Sequence, residues 1–434
     1  MESIWMQDYQ HSECEELNGV IETDTAIVGG GLAGLLCAYM LQVRGVECVV
    51  IEAKQAGMGV TCNTTAKITA QHGIIYSKIE KKYGINAAKN YYKANAEAVE
   101  EFRQLSRTID CDFEDKTAFV YTLNNREKLL DEAATYKRIG IDSEFFENPP
   151  IPVRTSGALG MSNQAQFNPI KFLNVMKSGL TIYENTFATD IKPGVIITTK
   201  GVVNAKRIIL ATHYPMVNIP GLYFTKLYQH RSYVIALEGA EDPNGMYIDE
   251  QDTGFSFRSY KNYLLLGGGS HRTGKSGCGW DDLRLFATAT YPNSKEKFAW
   301  ATQDCMTLDG IPYIGQHRKN HRDLFVATGF NKWGMTGSMV AAKLLCELIT
   351  DGKSKYTELY SPSRSMLHPQ LFVNLGDSVV GLLSIRKPRC THLGCALKWN
   401  PHERTYDCPC HGSRFESSGE LIDNPAKKGI KTKK

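Results

Sequence analysis

Two short segments near the C-terminus combine cysteine and histidine at spacings that suit a metal centre. They are RCTHLGC at 389–395 and CPCHGSRF at 408–415. Their possible ligands are Cys390, His392, Cys395, Cys408, Cys410 and His411. Two cysteines and two histidines can form a tetrahedral zinc site. The usual zinc finger pairs cysteine with cysteine and later histidine with histidine, whereas here each segment supplies one of each.

That alternation resembles the Rieske family of [2Fe–2S] proteins, in which two thiolates hold one iron and two imidazoles hold the other. The resemblance implies that Cys390 and Cys408 bind one iron and that His392 and His411 bind the second. It also implies a disulfide between the two remaining cysteines, Cys395 and Cys410. The alternative for this last pair is two reduced cysteines that only pack together, because disulfides are uncommon in the cytosol.

Two further positions bear on the properties of such a cluster. Ser413 matches the family serine that donates a hydrogen bond to a bridging sulfide, and Phe415 stands where many high-potential members have a tyrosine donor. Because hydrogen bonds to sulfur raise the reduction potential, we expect a potential below that of the respiratory class. The resemblance implies a small all-β cluster-binding domain. Only 64 residues follow Gln370, so we expect a truncated form of it at 371–434, after a polar linker at 351–370.

A second motif lies near the N-terminus, in TDTAIVGGGLAGLLCAYMLQVRGVECVVIEA at 23–53. The pattern predicts a strand, a glycine turn, a helix that ends at Gly45 and a second strand. Gly29, Gly31 and Gly34 have the G-x-G-x-x-G spacing that lets a pyrophosphate approach a helix N-terminus. Glu52, at the end of the second strand, is placed to accept hydrogen bonds from ribose hydroxyls. These features predict a dinucleotide site.

The later segments DGIPYIG (309–315) and LFVATGFNKWGMTGSMVAAKLLCELI (324–349) extend this pattern. Together with the βαβ unit they resemble the glycine/D-amino-acid oxidase family of FAD-dependent oxidoreductases. The resemblance implies an α/β (α+β) Rossmann-like FAD domain at 1–350 with an inserted mixed-sheet substrate subdomain at about 80–165 and 220–300. It implies further FAD-binding positions at Thr64, Thr65, Asp309, Gly329 and Gly334.

No motif selects the catalytic residues. Members of the oxidase family often bind a substrate carboxylate with arginine and tyrosine, and the resemblance makes candidates of Tyr228, Arg231, Tyr247, Arg258, His271 and Arg272. Lys332 and Trp333 lie in the returning turn that is expected near the flavin. His72 is a further candidate, as a covalent flavin anchor. The weak catalytic candidates are therefore Lys332, Arg258, Tyr228 and His271.

The composition excludes several other functions. Apolar residues make up 42% of the 434 residues and charged residues 22%, and the formal net charge is only +4. These values are ordinary for a globular protein and predict no nucleic-acid partner. The sequence has no signal-peptide pattern and no apolar run of membrane-spanning length. We therefore expect a cytoplasmic protein with no integral membrane segment.

The two sites together predict an electron-transfer enzyme. FAD accepts two electrons from a C–H bond beside an amine or hydroxyl, and a [2Fe–2S] cluster carries one. The expected function is a dehydrogenase that acts on an amine or amino acid and passes electrons singly to an unidentified one-electron partner. Two alternatives remain. In one, the cluster feeds the flavin, which reduces a substrate. In the other, the chain is a redox sensor or electron-transfer module without its own substrate.

Overall fold

The computed structural model describes residues 2–10, 14–319, 321–385 and 388–432. The strands are, in chain order, β1 (Gly19–Val28), β2 (Cys48–Ile51), β3 (Lys67–Ile68), β4 (Glu114–Thr122), β5 (Glu144–Phe146), β6 (Gly157–Gln166), β7 (Thr181–Tyr183), β8 (Ala188–Lys192), β9 (Val195–Thr198), β10 (Gly201–Leu210), β11 (Leu227–Glu238), β12 (Met246–Asp249), β13 (Ser256–Tyr260), β14 (Tyr263–Arg272), β15 (Lys295–Thr307), β16 (Tyr313–Gln316), β17 (Leu324–Thr328), β18 (Lys398–Asn400), β19 (Thr405–Asp407), β20 (Arg414–Glu416) and β21 (Leu421–Asp423). The helices are α1 (Leu32–Val43), α2 (Tyr76–Tyr83), α3 (Ile85–Leu105), α4 (Arg126–Ile139), α5 (Pro169–Met176), α6 (Tyr223–Lys226), α7 (Asp281–Thr290), α8 (Gly334–Thr350), α9 (Thr357–Tyr360) and α10 (Pro369–Leu383).

The first sheet contains the predicted βαβ unit, which is confirmed. Strand β1 pairs in parallel with β2 on one side and with β10 on the other. Strands β7 and β17 extend the parallel part of the sheet at its two ends. Helix α1 connects β1 to β2 and packs against α8. Apolar helix positions such as Leu35, Leu36 and Leu41 are buried in this interface. The carboxyl ends of the parallel strands therefore meet at one edge, where dinucleotides bind in such folds.

The second sheet is mixed and lies in the region expected for the substrate subdomain. Its order is β15-β11-β14-β13-β12-β4-β6-β3, with β5 beside β6. The long strand β11 pairs with β14 and β15 in antiparallel fashion, while β12 and β4 are parallel. Helix α3 belongs to the same region, and its buried face includes Ala88, Tyr91, Ala98 and Phe102 at helical spacing. The first and second sheets together border the large cavity described below.

The third sheet, β18-β19-β20-β21, is antiparallel and forms the small cluster module. Its core is made by the four cysteines of the C-terminal segments with Leu397, Phe415, Ala426 and Ile430. Helix α10 (Pro369–Leu383) precedes the sheet, and the predicted boundary between linker and module, at 370 and 371, falls inside this helix. Gly381 packs this helix against the module, since a Cβ there would lie 2.6 Å from Cys410 Sγ.

The segment 351–370, expected as a polar linker, is attached to the flavin domain. It contains the short helix α9, and the Arg364 guanidinium is buried in an ion pair with Asp309. Arg364 also donates to the carbonyl of Pro312 at 2.9 Å. Arg364 therefore fixes the segment that connects the two domains to the flavin domain. Within the part of the chain that the structure describes, no helix combines the length and apolar character needed to cross a membrane.

Candidate FAD and cluster sites

The glycine turn after β1 has the geometry that a bound pyrophosphate requires. Gly29 has a φ of +112°, and a Cβ there would lie 2.5 Å from the carbonyl oxygen of Ala211. Gly34 packs α1 against the turn, because its Cβ would meet the Gly29 carbonyl oxygen at 1.9 Å. Gly31 immediately precedes α1, whose first N–H groups have no partner within the helix, and the first of them, on Leu32, donates to Thr61 Oγ1 at 3.1 Å. Side chains larger than hydrogen are thus excluded at Gly29 and Gly34, the two positions that shape this turn.

Glu52 and the following loop complete this part of the site. The Glu52 carboxylate accepts hydrogen bonds from the N–H groups of Gly30 (2.7 Å) and Lys54 (2.9 Å). It lines the same cavity as Thr64 and Thr65. Burial raises the pKa of Glu52, and the backbone N–H groups partly offset this effect. The carboxylate is thereby held at the end of β2, where a ribose is expected.

A single large cavity of about 1290 Å³ extends from this turn to the second sheet. Its walls include Gly29, Gly31, Glu52, Asp309 and Gly334 among the predicted FAD-binding residues. Gly329 does not line it. Instead, Gly329 forms a turn with a φ of +72°, and a Cβ there would lie 2.3 Å from the side chain of Thr307. The volume exceeds the roughly 300–1,000 Å³ of a single ligand pocket, which leaves room for FAD and a substrate.

The arginine candidates for carboxylate binding are occupied by other groups. Arg231 lines the cavity, but its guanidinium forms a buried ion pair with Glu403 of the cluster module, with Nε 3.0 Å from Oε1. Arg258 is fully buried and donates to the carbonyl of Ala66 at 2.9 Å. Arg272 pairs with Asp377 of α10 at 3.0 Å. Protein groups therefore occupy these three guanidinium groups, and the carboxylate-binding role stays a prediction that these contacts do not favour.

The remaining candidates divide between the cavity wall and the interior. Tyr228 and Lys332 line the cavity, and Lys332 Nζ lies 3.1 Å from Ser270 Oγ. His271 stacks on Tyr233 at a ring distance of 5.7 Å and is not among the wall residues. Tyr247 is buried against Phe119 at 4.4 Å and likewise lies away from the wall.

His72 and Trp333 stack face to face in the cavity wall, with ring centroids 4.6 Å apart. Both ring nitrogens of His72 have partners, namely the Tyr91 hydroxyl at 2.8 Å and the Thr69 carbonyl at 2.8 Å. Burial lowers the pKa of His72 to about 3, so the ring is neutral. These contacts argue against the covalent flavin link that the sequence left open.

Two acidic residues that the sequence analysis did not single out share this end of the cavity. Asp304 lines the wall, and burial raises the pKa of its carboxyl although Lys332 and His213 oppose the shift. Asp252 lies 3.5 Å from Lys332 Nζ. Asp252, Asp304 and Lys332 together make this end of the cavity polar. The two carboxyl groups are suitable partners for the amino group of a ligand. Periodicity does not distinguish these two acids from other surface acids.

The carboxylate of Asp309 forms an ion pair with Arg364 inside the protein. Arg364 contacts both of its oxygens, at 2.8 and 2.7 Å, and the Tyr83 hydroxyl donates to it at 2.7 Å. Burial alone would raise the pKa of Asp309, but Arg364 and Tyr83 lower it to about 2. The assignment of Asp309 to FAD binding stays a prediction, and the structure gives it a second role as an anchor.

The C-terminal segments bring their four expected cluster ligands together. The Cys390 and Cys408 side chains contact each other in the core of the module, and the rings of His392 and His411 lie 5.0 Å apart. The Nδ1 atoms of both histidines are buried without a hydrogen-bond partner among the described residues. Burial lowers the pKa of His392 to about 4 and that of His411 to about 3, so both rings are neutral. Orphaned imidazole nitrogens beside paired thiols are donors that fit an iron–sulfur cluster.

The other two cysteines form a disulfide. Cys395 and Cys410 are bonded to each other across the two segments. Their sulfurs lie within 4.8 Å of that of Cys408, so the disulfide borders the thiol of an expected cluster ligand. Ser413 is fully buried and its hydroxyl accepts a hydrogen bond from the Ala426 N–H at 3.0 Å. Phe415 is also fully buried.

The imidazole edge of the cluster site packs onto the flavin domain. Asn218 Nδ2 lies 2.9 Å from His392 Nε2, and the ring of His411 lies 6.4 Å from that of Tyr214. Behind His411, Gln303 Nε2 donates to the Gly412 carbonyl at 3.0 Å. Gln303 itself lines the large cavity. One side chain therefore separates the cavity from the ligand loop.

Buried charges join the two domains beside this contact. Glu403 is held by Arg231 of β11 and by Arg414 of the module, and Tyr233 donates to it at 3.1 Å. Burial alone would raise the pKa of Glu403, but the two arginines lower it. We call Arg231, Glu403 and Arg414 the docking cluster.

Comparison with known proteins agrees with this architecture. The model of the DAO family, described as FAD dependent oxidoreductase, matches residues 24–348, and the Rieske [2Fe-2S] domain matches 373–434. The chain belongs to the DAO family of FAD-dependent oxidoreductases and has a C-terminal Rieske domain. Its cofactors are FAD and a [2Fe–2S] cluster, which favours iron over the zinc alternative.

Individual relatives narrow the comparison. The chain is 35% identical over 493 residues to the putative Rieske 2Fe-2S iron-sulfur protein YhfW of Bacillus subtilis (strain 168), covering 99% of this chain and 97% of that protein. It is 24% identical to the gamma-glutamylputrescine oxidoreductase of Escherichia coli (strain K12), over 80% of this chain and 88% of that one. The structure of glycine oxidase from Geobacillus kaustophilus superposes with a TM-score of 0.67 at 19% identity, covering 80% of this chain and 99% of the other.

Proposed function

We propose that this protein dehydrogenates an amine or an amino acid and passes the electrons one at a time through its cluster to a separate partner. The observation that carries the proposal is the docking of the imidazole edge of the cluster site onto the flavin domain, one side chain from the cavity. We assign Cys390, His392, Cys408 and His411 as the cluster ligands. FAD supplies the acceptance of a hydride equivalent from the C–H bond beside nitrogen.

The chain's own residues prepare the substrate at the far end of the cavity. An alkylammonium must lose a proton before its C–H bond can deliver a hydride. We assign that role to Asp304, which lines the cavity and whose pKa is raised by burial, as suits a general base. Lys332 lines the same cavity, 3.5 Å from Asp252. With Arg231 and Arg272 paired to carboxylates, the contacts favour an amine over an α-carboxylate as the recognised group.

The route between the domains consists of short contacts. His213 lines the cavity, and its Nε2 lies 3.0 Å from Gln229 Oε1. Gln229 packs directly on Gly412, where a Cβ would lie 2.3 Å from Cγ of the glutamine. Gln303 makes the parallel contact to the Gly412 carbonyl. Gln229 and Gln303 are almost fully buried, so the route from the cavity to the ligand loop passes through packed side chains.

The test is an anaerobic titration of the oxidised protein with a panel of amines and amino acids. We expect one class of amine to bleach the flavin absorbance. Asp304→Asn should slow that bleaching at least tenfold, and the pH profile of the bleaching rate should lose the titration step that comes from the Asp304 carboxyl. The matched control is Asp281→Asn, an exposed acid on α7. Failure of every amine to bleach the flavin, with reduction of the flavin by a pre-reduced cluster instead, would favour the cluster-fed reductase.

The sensor alternative has less support. A sensor without a substrate is expected to have a flavin pocket shut by bulky side chains, whereas this cavity is open and contains Ser270, Asp304 and Lys332. The electron partner is proposed only by class, as a one-electron carrier. The cytoplasmic location remains a prediction from the sequence.

A further inference from the structure

The C-terminal hairpin of the cluster module lines the cavity that contains the dinucleotide turn. Residues 423–429 and Arg414 line the same cavity as Gly29, Glu52 and Thr186. This segment begins at the last residue of β21 and belongs to the iron–sulfur module, not to the FAD domain. We call residues 423–429 the lid segment. Its position places part of one cofactor's module over the site of the other.

The lid segment is bonded at two points to backbone that borders the dinucleotide turn. Asn424 Nδ2 donates to the carbonyls of Thr212 (2.7 Å) and Tyr214 (3.0 Å), just beyond β10. The preceding residue, Ala211, is the one that leaves room only for glycine at position 29. On the other side, Lys427 Nζ donates to the Thr189 carbonyl at 3.1 Å, on β8. The segment therefore spans the gap between the ends of β10 and β8.

The chemistry of the lid segment suits the ADP half of FAD. Lys427 and Lys428 are exposed at the cavity mouth, and the pyrophosphate that the glycine turn is built to bind carries negative charge. Asp423 is neutralised by Arg414 at 3.1 Å, which leaves the exposed Glu420 as the remaining acid on this part of the wall. Pro425 and Ala426 are buried, so the middle of the lid segment is packed against the protein.

We propose that the cluster module is the lid of the FAD site, so that FAD exchanges with solvent only after the module has moved away from the flavin domain. The docking cluster holds the lid closed, because Glu403 is buried between arginines of both domains. The inference rests on FAD binding and does not depend on the identity of the substrate. By linkage, bound FAD must in turn stabilise the docked arrangement.

The first test measures FAD release from the holoprotein with no substrate present. Dilution frees FAD, whose fluorescence rises, and iron is assayed in parallel. Loss of two hydrogen bonds in Asn424→Ala is expected to speed release by roughly five- to hundredfold, and Glu403→Gln is expected to speed it further. The controls are Asn262→Ala, which removes one exposed bond to Glu238, and Glu296→Gln, which weakens a more exposed ion pair with Arg284.

The second test uses the unmodified chain, so that misfolding of a variant does not decide the matter. Hydrogen exchange is compared between FAD-replete protein and FAD-poor protein from riboflavin-limited cells, at equal iron content. The lid account predicts faster exchange in 423–429 and around Glu403 in the FAD-poor protein. Equal exchange there, or equal FAD release from Asn424→Ala and Asn262→Ala with iron retained, would overturn the proposal. Neither readout includes turnover, so the lid and the proposed amine reaction stand or fall separately.

Discussion

The ion pair between Arg364 and Asp309 joins the interdomain segment to the flavin domain, and Arg364→Met tests its strength. Their side chains are only 8% and 3% exposed. Replacement of the guanidinium leaves a buried carboxylate without its main partner, which typically costs about 3–5 kcal/mol of folding free energy. Methionine fills a similar volume, so the loss reports charge pairing rather than a cavity.

The pH dependence of that loss has a definite sign. In the wild type the folded pKa of Asp309 is lowered from 3.8 to about 2, so its stabilising contribution is present above pH 4 and is lost as the pH falls through about 2. Between pH 5 and pH 8 this contribution is constant. Without Arg364, burial raises the folded pKa above its unfolded value. The variant therefore loses stability as the pH rises above about 4, by at most about 1.4 kcal/mol per pH unit.

Urea unfolding followed by tryptophan fluorescence at pH 5 and pH 8 measures both effects. The matched control is Arg138→Met, whose partner Glu80 forms a surface pair with side chains 51% and 21% exposed and is expected to be worth about 0–1 kcal/mol. The double variant Asp309→Leu/Arg364→Met should recover most of the stability, because an apolar pair replaces the buried ions. A cost for Arg364→Met no larger than that of the control, or one independent of pH, would refute the reasoning. The FAD content of the double variant decides whether Asp309 is also a cofactor contact.

Three further perturbations have expected outcomes. Gly29→Ala should lose FAD, measured as flavin per chain, because the φ of +112° and the 2.5 Å approach to Ala211 exclude a methyl group; full occupancy would contradict the assigned turn. Ser413→Ala should lower the cluster potential in an EPR redox titration, since its hydroxyl hydrogen-bonds toward the Cys390 sulfur; an unchanged potential would remove this serine from the tuning. Cys395→Ala should destabilise the module by about 3 kcal/mol, because the lost disulfide to Cys410 joins residues 15 apart in the sequence. The assay is iron loss on heating. The control is Cys346→Ala, which removes a buried thiol that forms no disulfide. Equal iron loss from the two cysteine variants would count against a stabilising disulfide.

The parts of the site that the sequence predicted are those set by local spacing. The glycine turn, the βαβ unit and the two cysteine–histidine segments each lie within a few tens of residues, and their residue types are dictated by a close backbone approach or by a metal ligand. The role of Arg231 was not predictable in this way, because its partner Glu403 is 172 residues away. Arg364 and Asp309 likewise meet only through the fold, 55 residues apart. The same holds for Asp304, which becomes distinctive only when β15 places it inside the cavity.

The central claim is that electrons pass from the cavity to the cluster within one molecule, and freeze-quench EPR tests it most directly. Anaerobic oxidised protein is mixed with the amine that bleaches its flavin, and the cluster signal is followed in time at several protein concentrations. The account predicts a Rieske-type signal that appears with a rate independent of protein concentration. Bleaching of the flavin while the cluster stays oxidised but reducible by dithionite, or a rate proportional to protein concentration, would contradict it.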